Sequence, residues 1–321
     1  VSRNATRSDR PFGRHVIARQ AQDLRRSLRR IKREGFRRVH VLRGPEAVAA
    51  VEIVRERPWN DRRDLPGPFD IIGDVHGCAE ELQNLLTRLG WQFVRHGSQA
   101  VGAHHPEGRM AVFVGDLVDR GPDVPGVLRL VMGMVEAGTA LCVTGNHEVK
   151  LVRALAGRNV RIAHGLAESL AQLANEPPEF TAAARSFMDG LISHYVLDEG
   201  RLVVAHAGLK EAYHGRSSGR VRSFALYGDT TGETDEYGLP VRYPWAQEYR
   251  GQAMVVYGHT PVPKAEWINN TICLDTGVVF GGELTALRYP EREIVSVPAE
   301  QEWYEPVRPL APTGGDREAS V

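Results

Sequence analysis

Cysteine is scarce here: Cys78, Cys142 and Cys273 lie far apart in 321 residues and form no CxxC pair. That excludes a disulfide framework and reads as a reduced, cytoplasmic protein. Long apolar runs are missing too. None approaches the roughly 18 residues needed to cross a bilayer, and the Arg-rich start lacks the apolar segment of a secretory signal. A net charge is also lacking, since 40 Lys plus Arg face 40 Asp plus Glu, so charge argues neither for nor against a nucleic-acid partner. The balance is only global. Through Arg63 there are 18 basic against 7 acidic residues, leaving 22 against 33 for the remainder. A basic head on an acidic body implies two modules, and the acidic excess suits a body that binds metal.

In the head, Ala21, Leu24, Leu28 and Ile31 recur three or four apart before Gly35, which predicts an amphipathic helix over Ala18–Glu34 with a basic outer face. Phe36–Leu42 reads as a strand, and Pro45–Glu56 as a second helix. The sequence resembles the end of an α/β domain, and a chain that starts on Val reads as a fragment. The basic helix suits a solvated face, a nucleic-acid surface or a membrane-surface helix. Arg57–Pro68 has the Pro, Gly and charge content of a linker. The resulting division is a head at 1–63, a linker at 64–68, a body at 69–298 and a Pro- and Gly-rich, disordered tail at 299–321.

The body opens on FDIIGDVHG, an apolar run delivering Asp74 and His76 at a strand's end, where α/β sheets place ligand sites. On an extended backbone these two side chains share a face, as metal ligands or as a helix cap beside a hydrogen-bonded histidine. A helix over Ala79–Leu89 follows, with Leu82, Leu85, Leu86 and Leu89 on one face. Met110–Val114 ends in GDLVDRGPD with Asp116, Asp119 and Arg120, and Ala140–Val143 ends in TGNHE with Asn146 and His147. Ile162–His194 reads as a helical insert without a motif. Tyr195–Asp198 and Leu202–Ala205 form a hairpin ending in HAG at His206, and Arg220–Tyr249 is loop-like. Met254–Tyr257 ends in GHTP at His259, and a hairpin through Asn269-Asn270 closes on Asp275. His104 and His105 read as surface residues, and Cys78 as a small buried side chain.

GDVHG, GDLVDRG, GNHE, HAG and GHTP each set Asp, Asn or His beside a glycine that permits a tight turn. This ordered set resembles the calcineurin-like metallophosphoesterase superfamily. The resemblance implies an α/β fold with a β-sandwich core flanked by helices, two divalent cations, most often Mn2+ with Ni, Fe, Co or Zn open, and metal-dependent phosphoester hydrolysis. It implies that Asp74 and His76 hold one cation, Asp116 bridges, and Asn146, His206 and His259 complete the other. His147 would be the general acid, Asp119 its orienting partner and Arg120 the phosphate clamp. Asp275 stays open between a metal-site carboxylate and a turn cap.

FALYGDTTGETDEYGLPVRYPWAQEY, VVYGHTPVP and WINNTICLDTG further resemble the phosphatase domain of bacterial polynucleotide kinase-phosphatase, an RNA end-healing enzyme, and the head resembles its kinase's lid and final helices. That likeness implies removal of 2′- or 3′-phosphates and 2′,3′-cyclic phosphates from RNA 3′ ends, with Arg242, Tyr243 and Trp245 engaging ribose or base. It also implies missing kinase and ligase-like domains, since no GxxxxGK[ST] is present. A protein Ser/Thr phosphatase or a dinucleoside-polyphosphate hydrolase is the alternative, supported by the shared GDLVDRG and GNHE. A non-catalytic RNA-binding fragment is a third reading.

Overall fold

A computed structural model describes residues 13–31, 39–54 and 57–308. The chain divides into two compact units, Val1–Glu56 and Arg57–Val321. In the first, helix α1 spans Arg14–Arg30 and a short α2 spans Gly44–Ala50. None of this unit's described residues is buried, and Leu24, on the expected apolar stripe, is 61% exposed. Of the strand expected over Phe36–Leu42, Phe36–Arg38 lie outside the described residues, and Val39–Leu42 form no strand. The second helix stops at Ala50, six residues short of Glu56, because Val51 takes an extended conformation that suits its β-branched side chain.

The second unit begins earlier than the linker at 64–68 implies. Asp61–Arg62 forms β1, paired in parallel with a strand of the body. Then follow β2 (Phe69–Ile72), α3 (Ala79–Leu89), the hairpin β3 (Gln92–His96) and β4 (Gln99–His104), β5 (Met110–Phe113), α4 (Val124–Glu136) and β6 (Ala140–Cys142). The helices α5 (Asn146–Leu155), α6 (Leu166–Ala174) and α7 (Pro178–Gly190) lead to β7 (His194–Leu197) and β8 (Leu202–Ala205). The region expected to be loop-like contains α8 (Gly219–Tyr227), the hairpin β9 (Thr230–Thr234) and β10 (Pro240–Arg242), and a short α9 (Trp245–Glu248). Last come β11 (Met254–Tyr257), β12 (Trp267–Ile268), β13 (Thr271–Cys273), β14 (Glu283–Tyr289) and β15 (Glu293–Pro298).

Two sheets stack. One runs β15-β14-β2-β5-β6 and the other β1-β7-β8-β11-β13-β12. The period-2 alternation of strands divides their side chains between two layers. Phe69, Ile71, Val112 and Val114 from the first sheet meet Val204, Val256, Ile272 and Leu274 from the second in the sandwich core. The alternate residues Ile72, Phe113 and Cys142 face outward, against Leu82, Leu85, Leu86 and Leu89 of α3 and Val127, Leu128 and Val131 of α4. On the other outer face Val203, Ala205 and Val255 pack under Val221, Phe224, Trp245 and Tyr249. A row of four leucines at helical spacing and a strand buried on both faces thus explain α3 and β2, whose apolar runs have no solvent side. Gly90 ends α3 in the left-handed conformation at φ 95°.

Several smaller expectations change. His105 is buried: its Nε2 pairs with the Leu89 carbonyl at 3.1 Å, and its ring meets Trp91 edge-on. The tail is ordered at its start, since the Trp303 indole N–H donates to Glu81 at 2.8 Å; residues 309–321 lie outside the described residues.

His194 is fully buried beside Asn60, 2.6 Å from its side-chain amide, and burial first, then His214, lowers its pKa to about 4. A folded-state pKa below the unfolded 6.5 means that protons bind the unfolded chain better between these values. Stability is therefore expected to fall as pH drops from 6.5 to 4, by about 3 kcal/mol at 1.36 kcal/mol per unit. A series of urea melts checks this. The wild type should lose more stability than His194→Gln over that window, and equal losses would exclude His194 as the source.

Candidate active site

β2, β5 and β6 run parallel in one sheet, and β8, β11 and β13 run parallel in the other. Their carboxyl ends emit the segments that carry Asp74 and His76, Asp116, Asn146, His206, His259 and Asp275. A sandwich whose central strands end at one edge brings six loops together, as open α/β sheets do. Asn146 and His147 occupy the first turn of α5, not a strand tip. Their side chains diverge because neighbouring helical positions differ by about 100°.

Asp116 lies at the centre. Its Oδ2 is 3.8 Å from Nε2 of His76, 3.8 Å from Nε2 of His147 and 3.4 Å from Nε2 of His206. Two sets of donor atoms therefore share Asp116: one with His76 and His147, the other with His206 and His259, each set mutually within 4.8 Å. Nε2 of His206 is also 3.0 Å from Asn146 Oδ1 and 3.0 Å from His259 Nδ1. Asp74 accepts the His259 backbone N–H at 2.9 Å through Oδ2, while its Oδ1 is buried without a partner among the described residues.

The glycines of these motifs serve close approach as well as turning. A Cβ on Gly258 would sit 1.8 Å from Asp74 Oδ1, and one on Gly145, whose φ is −93°, would sit 2.1 Å from Asp116 Oδ1. Left-handed backbone falls on functional residues as well as on Gly77, Gly115 and Gly208: His76, Asp116, Asp119, Arg120 and His259 all have φ between 47° and 76°. Each such non-glycine position costs about 1–3 kcal/mol and persists only where its surroundings hold it.

The donor set fits divalent cations. His76 Nδ1 is 2.8 Å from the Val118 carbonyl, so Nδ1 carries the proton and Nε2 turns its lone pair inward. Guanidiniums only donate, and Arg120 Nη1 lies 2.7 Å from His76 Nε2 while Arg242 Nη2 lies 2.8 Å from His259 Nε2. Both imidazoles are thus neutral acceptors, as metal ligation requires. Burial, helped by Arg120 and His147 for His76 and by His206 and Arg242 for His259, holds both well below the usual histidine range. Burial, then Asp275 and Asp116, pushes Asp74 well above the carboxylate range. Asp116 goes the other way: His206, His147 and His76 overcome its burial and hold it well below that range. A crowded acid cluster with an orphaned carboxylate oxygen draws positive charge to its centre, and Asp116 accordingly outweighs burial and raises the pKa of His206.

His147 Nδ1 pairs with Asp119 Oδ2 at 2.6 Å, and its Nε2 lies 3.2 Å from Arg120 Nη2. Arg120 also stacks over Phe280 at 5.1 Å, and its Nε–H is buried without an acceptor among the described residues. Asp275 is buried, accepts the Gly277 N–H at 3.2 Å, and is raised by burial to about 6. Three substrate candidates separate. Arg242 reaches the site, Tyr243 is exposed beside it, and Trp245 is buried in the outer layer against Phe224, Tyr249 and Tyr257. Cys78 is a buried thiol whose pKa burial raises, not a reactive thiolate.

Two supporting residues escaped the sequence reading. Glu148 is fully buried and accepts the N–H groups of Asp116, Leu117 and Gly145 at 2.9, 2.7 and 2.7 Å, pinning the strained Asp116 loop to the GNHE turn. Its position inside GNHE was a signal, since a carboxylate at the third helical position reaches back to the cap. Ser169 donates to Asp119 Oδ1 at 2.6 Å and accepts the Asp119 N–H at 2.9 Å, so the insert thought motif-free fixes the carboxylate behind His147. Nothing local in the sequence marks it. Glu148→Gln replaces an acceptor by an NH2 facing N–H groups. It is expected to lower metal affinity by about 10–100-fold, measured by calorimetric titration of the metal-free protein.

The sequence profile described as Calcineurin-like phosphoesterase matches residues 67–286. A protein of Anoxybacillus flavithermus named bis(5′-nucleosyl)-tetraphosphatase PrpE (asymmetrical) is 47% identical over 235 residues, covering 72% of this chain and 94% of that protein. Its Geobacillus thermodenitrificans namesake is 48% identical with the same coverage. A crystal structure assigned provisionally as a diadenosine tetraphosphatase superposes with a TM-score of 0.53 at 28% identity, covering 74% of this chain and 96% of that one.

Proposed function

The chain belongs to the calcineurin-like phosphoesterase family and is a metal-dependent hydrolase, and from that premise we propose that its substrates are dinucleoside polyphosphates, with bis(5′-nucleosyl) tetraphosphates foremost. The observation that carries this reading is the 47–48% identity to asymmetrical tetraphosphatases across 94% of their length. It replaces RNA 3′ ends as the leading substrate. The relatives are not named as polynucleotide kinase-phosphatases, and nothing in the matches supports a kinase remnant in the head, a missing kinase or ligase-like partner, or RNA repair.

In our reading Asp74 and His76 hold one divalent cation and Asn146, His206 and His259 the other, with Asp116 between them; manganese is the cation we propose. Bound there, the two cations supply an activated water and a clamp on the phosphoryl oxygens. The chain's own residues do the rest. Arg120, left with donors to spare, draws the phosphate to the centre, its planar fork matching two oxygens. His147, oriented by Asp119 and Ser169, accepts an Arg120 N–H at Nε2 in this structure. Once the phosphate has drawn Arg120 away and Nε2 is protonated, it gives that proton to the departing oxygen. Glu148 holds Asp116 in place, and the buried walls limit bulk water.

The test is a manganese-loaded substrate panel. Diadenosine tetraphosphate should be cleaved to ATP and AMP with a kcat/KM at least about tenfold above those for 2′,3′-cyclic AMP, 3′-AMP and a phosphoserine peptide, a margin of 1.36 kcal/mol. Faster turnover of the cyclic or 3′-nucleotide would overturn the proposal in favour of RNA ends, and a peptide preference would overturn it in favour of a protein phosphatase.

A further inference from the structure

A cavity of about 240 Å³ opens beside the metal-site edge formed by His259. One side is His259, Gly258 and Arg242; the rest is mostly apolar or aromatic, from Tyr243, Pro244, Tyr257, Val262 and Ile268. None of the catalytic roles above uses it. Two of its walls come from separate parts of the chain, the β9–β10 hairpin with the residues just after it and the β12 edge, so the cavity is an open slot between elements, not a gap in one. Tyr243 is 54% and Ile268 40% exposed, an unusual outlay of large apolar side chains next to a cluster of charged groups.

Arg242 stands at the junction. Its Nε–H donates to the Tyr227 carbonyl at 3.0 Å, its Nη1 to the Pro240 carbonyl at 3.4 Å and its Nη2 to His259 at 2.8 Å. Of five N–H donors, three are engaged and two remain, on a guanidinium whose position is already fixed. An apolar, aromatic-edged slot joined to a phosphate-binding centre by an anchored cation has the chemistry of a nucleotide subsite, in which a flat base enters the slot and the anchored guanidinium meets phosphate or ribose oxygens.

We infer that the slot lined by Tyr243, Pro244, Val262 and Ile268 binds the nucleoside of a nucleotide whose phosphate lies at the Asp116 centre, with Arg242 contacting the linking oxygens. This deepens the dinucleoside-polyphosphate reading and rests on it for the identity of the substrate, but a nucleoside slot is testable by itself. The base supplies most of the contact area, so a nucleotide should bind better than the same sugar phosphate without its base.

The probes are AMP and ribose 5-phosphate as competitive inhibitors of p-nitrophenyl phosphate hydrolysis by the manganese-loaded full chain. AMP should inhibit about tenfold more tightly, the direction expected when a base stacks on an aromatic side chain. In Ile268→Trp, which fills the slot from an exposed rim position, and in Tyr243→Ala, which removes one wall, the ratio of the two inhibition constants should fall toward one. Because the readout is a ratio within one protein, a partly unfolded variant does not mimic it. Equal inhibition by AMP and ribose 5-phosphate in the wild type, or a preference untouched by both substitutions, overturns the inference. Inert diadenosine tetraphosphate together with a retained AMP preference would instead sink the substrate reading and leave the slot standing.

Discussion

Asp116→Asn is expected to lose hydrolysis by on the order of 10⁴-fold or more, the largest effect of any single substitution in this chain. Asn preserves the volume and can still accept the His147 N–H that Asp116 Oδ1 receives at 3.1 Å. It cannot supply the negative charge that faces His76, His147 and His206 within 3.8 Å. Both donor sets contain Asp116, so one substitution weakens both at once. A divalent cation is worth several kcal/mol of transition-state stabilisation, and two weakened sites at 1.36 kcal/mol per decade give that loss. Bound manganese, measured by elemental analysis after desalting, should fall from two per chain to one or none, with the far-ultraviolet dichroism unchanged. A variant that keeps two metals and near-normal turnover would remove Asp116 from the centre.

The outline of the site could be read in the sequence because its parts are local. Each of GDVHG, GDLVDRG, GNHE, HAG and GHTP is an apolar run followed by a polar residue, a signal contained in fewer than ten positions. The sandwich itself follows from those runs, since Ile71 and Ile72, or Val203 and Val204, are buried on opposite faces. What stayed hidden is what the chain brings from a distance. Ser169 reaches Asp119 across 50 positions, and Asp74 receives the His259 N–H across 185. Ser169 has no local pattern that announces it, and neither GDVHG nor GHTP announces that the two meet. The boundary of the body was misplaced for the same reason: Asp61–Arg62 looks like linker by composition and becomes a strand only because β7 lies ready to pair. Likewise Arg220–Tyr249, rich in Gly, Thr and charge, takes helix and hairpin structure through Phe224 and Trp245, which pack on the outer face of the second sheet.

Substrate choice was the least legible feature, and His147→Asn bears on it directly. Asn keeps a polar group of similar reach but has no titratable nitrogen, so proton donation from Nε2 is lost. The pairing that prepares that donation goes with it, Nδ1 with Asp119 at 2.6 Å, while the Ser169 hydroxyl still donates to Asp119 at 2.6 Å. How much is lost depends on the departing oxygen. In a dinucleoside polyphosphate the leaving group is itself a phosphate, whose second pKa is near 6, so it departs largely without a proton. A ribose hydroxyl leaving from a 3′-phosphate departs as a strongly basic alkoxide and needs one. The expected result is therefore a loss of about 10²–10⁴-fold on 3′-AMP, the usual span for a general acid, against roughly tenfold or less on diadenosine tetraphosphate. The measurement is kcat/KM for the two substrates in wild type and variant, with bound manganese determined alongside. Equal losses on both, accompanied by loss of a metal, would assign His147 to the cation-holding set that its 3.8 Å approach to Asp116 already permits. Equal losses with the metals retained would mean that His147 stabilises charge without donating the proton. Only the unequal outcome, with both metals in place, makes His147 the acid and leaves the anhydride as the bond this centre cleaves with least help.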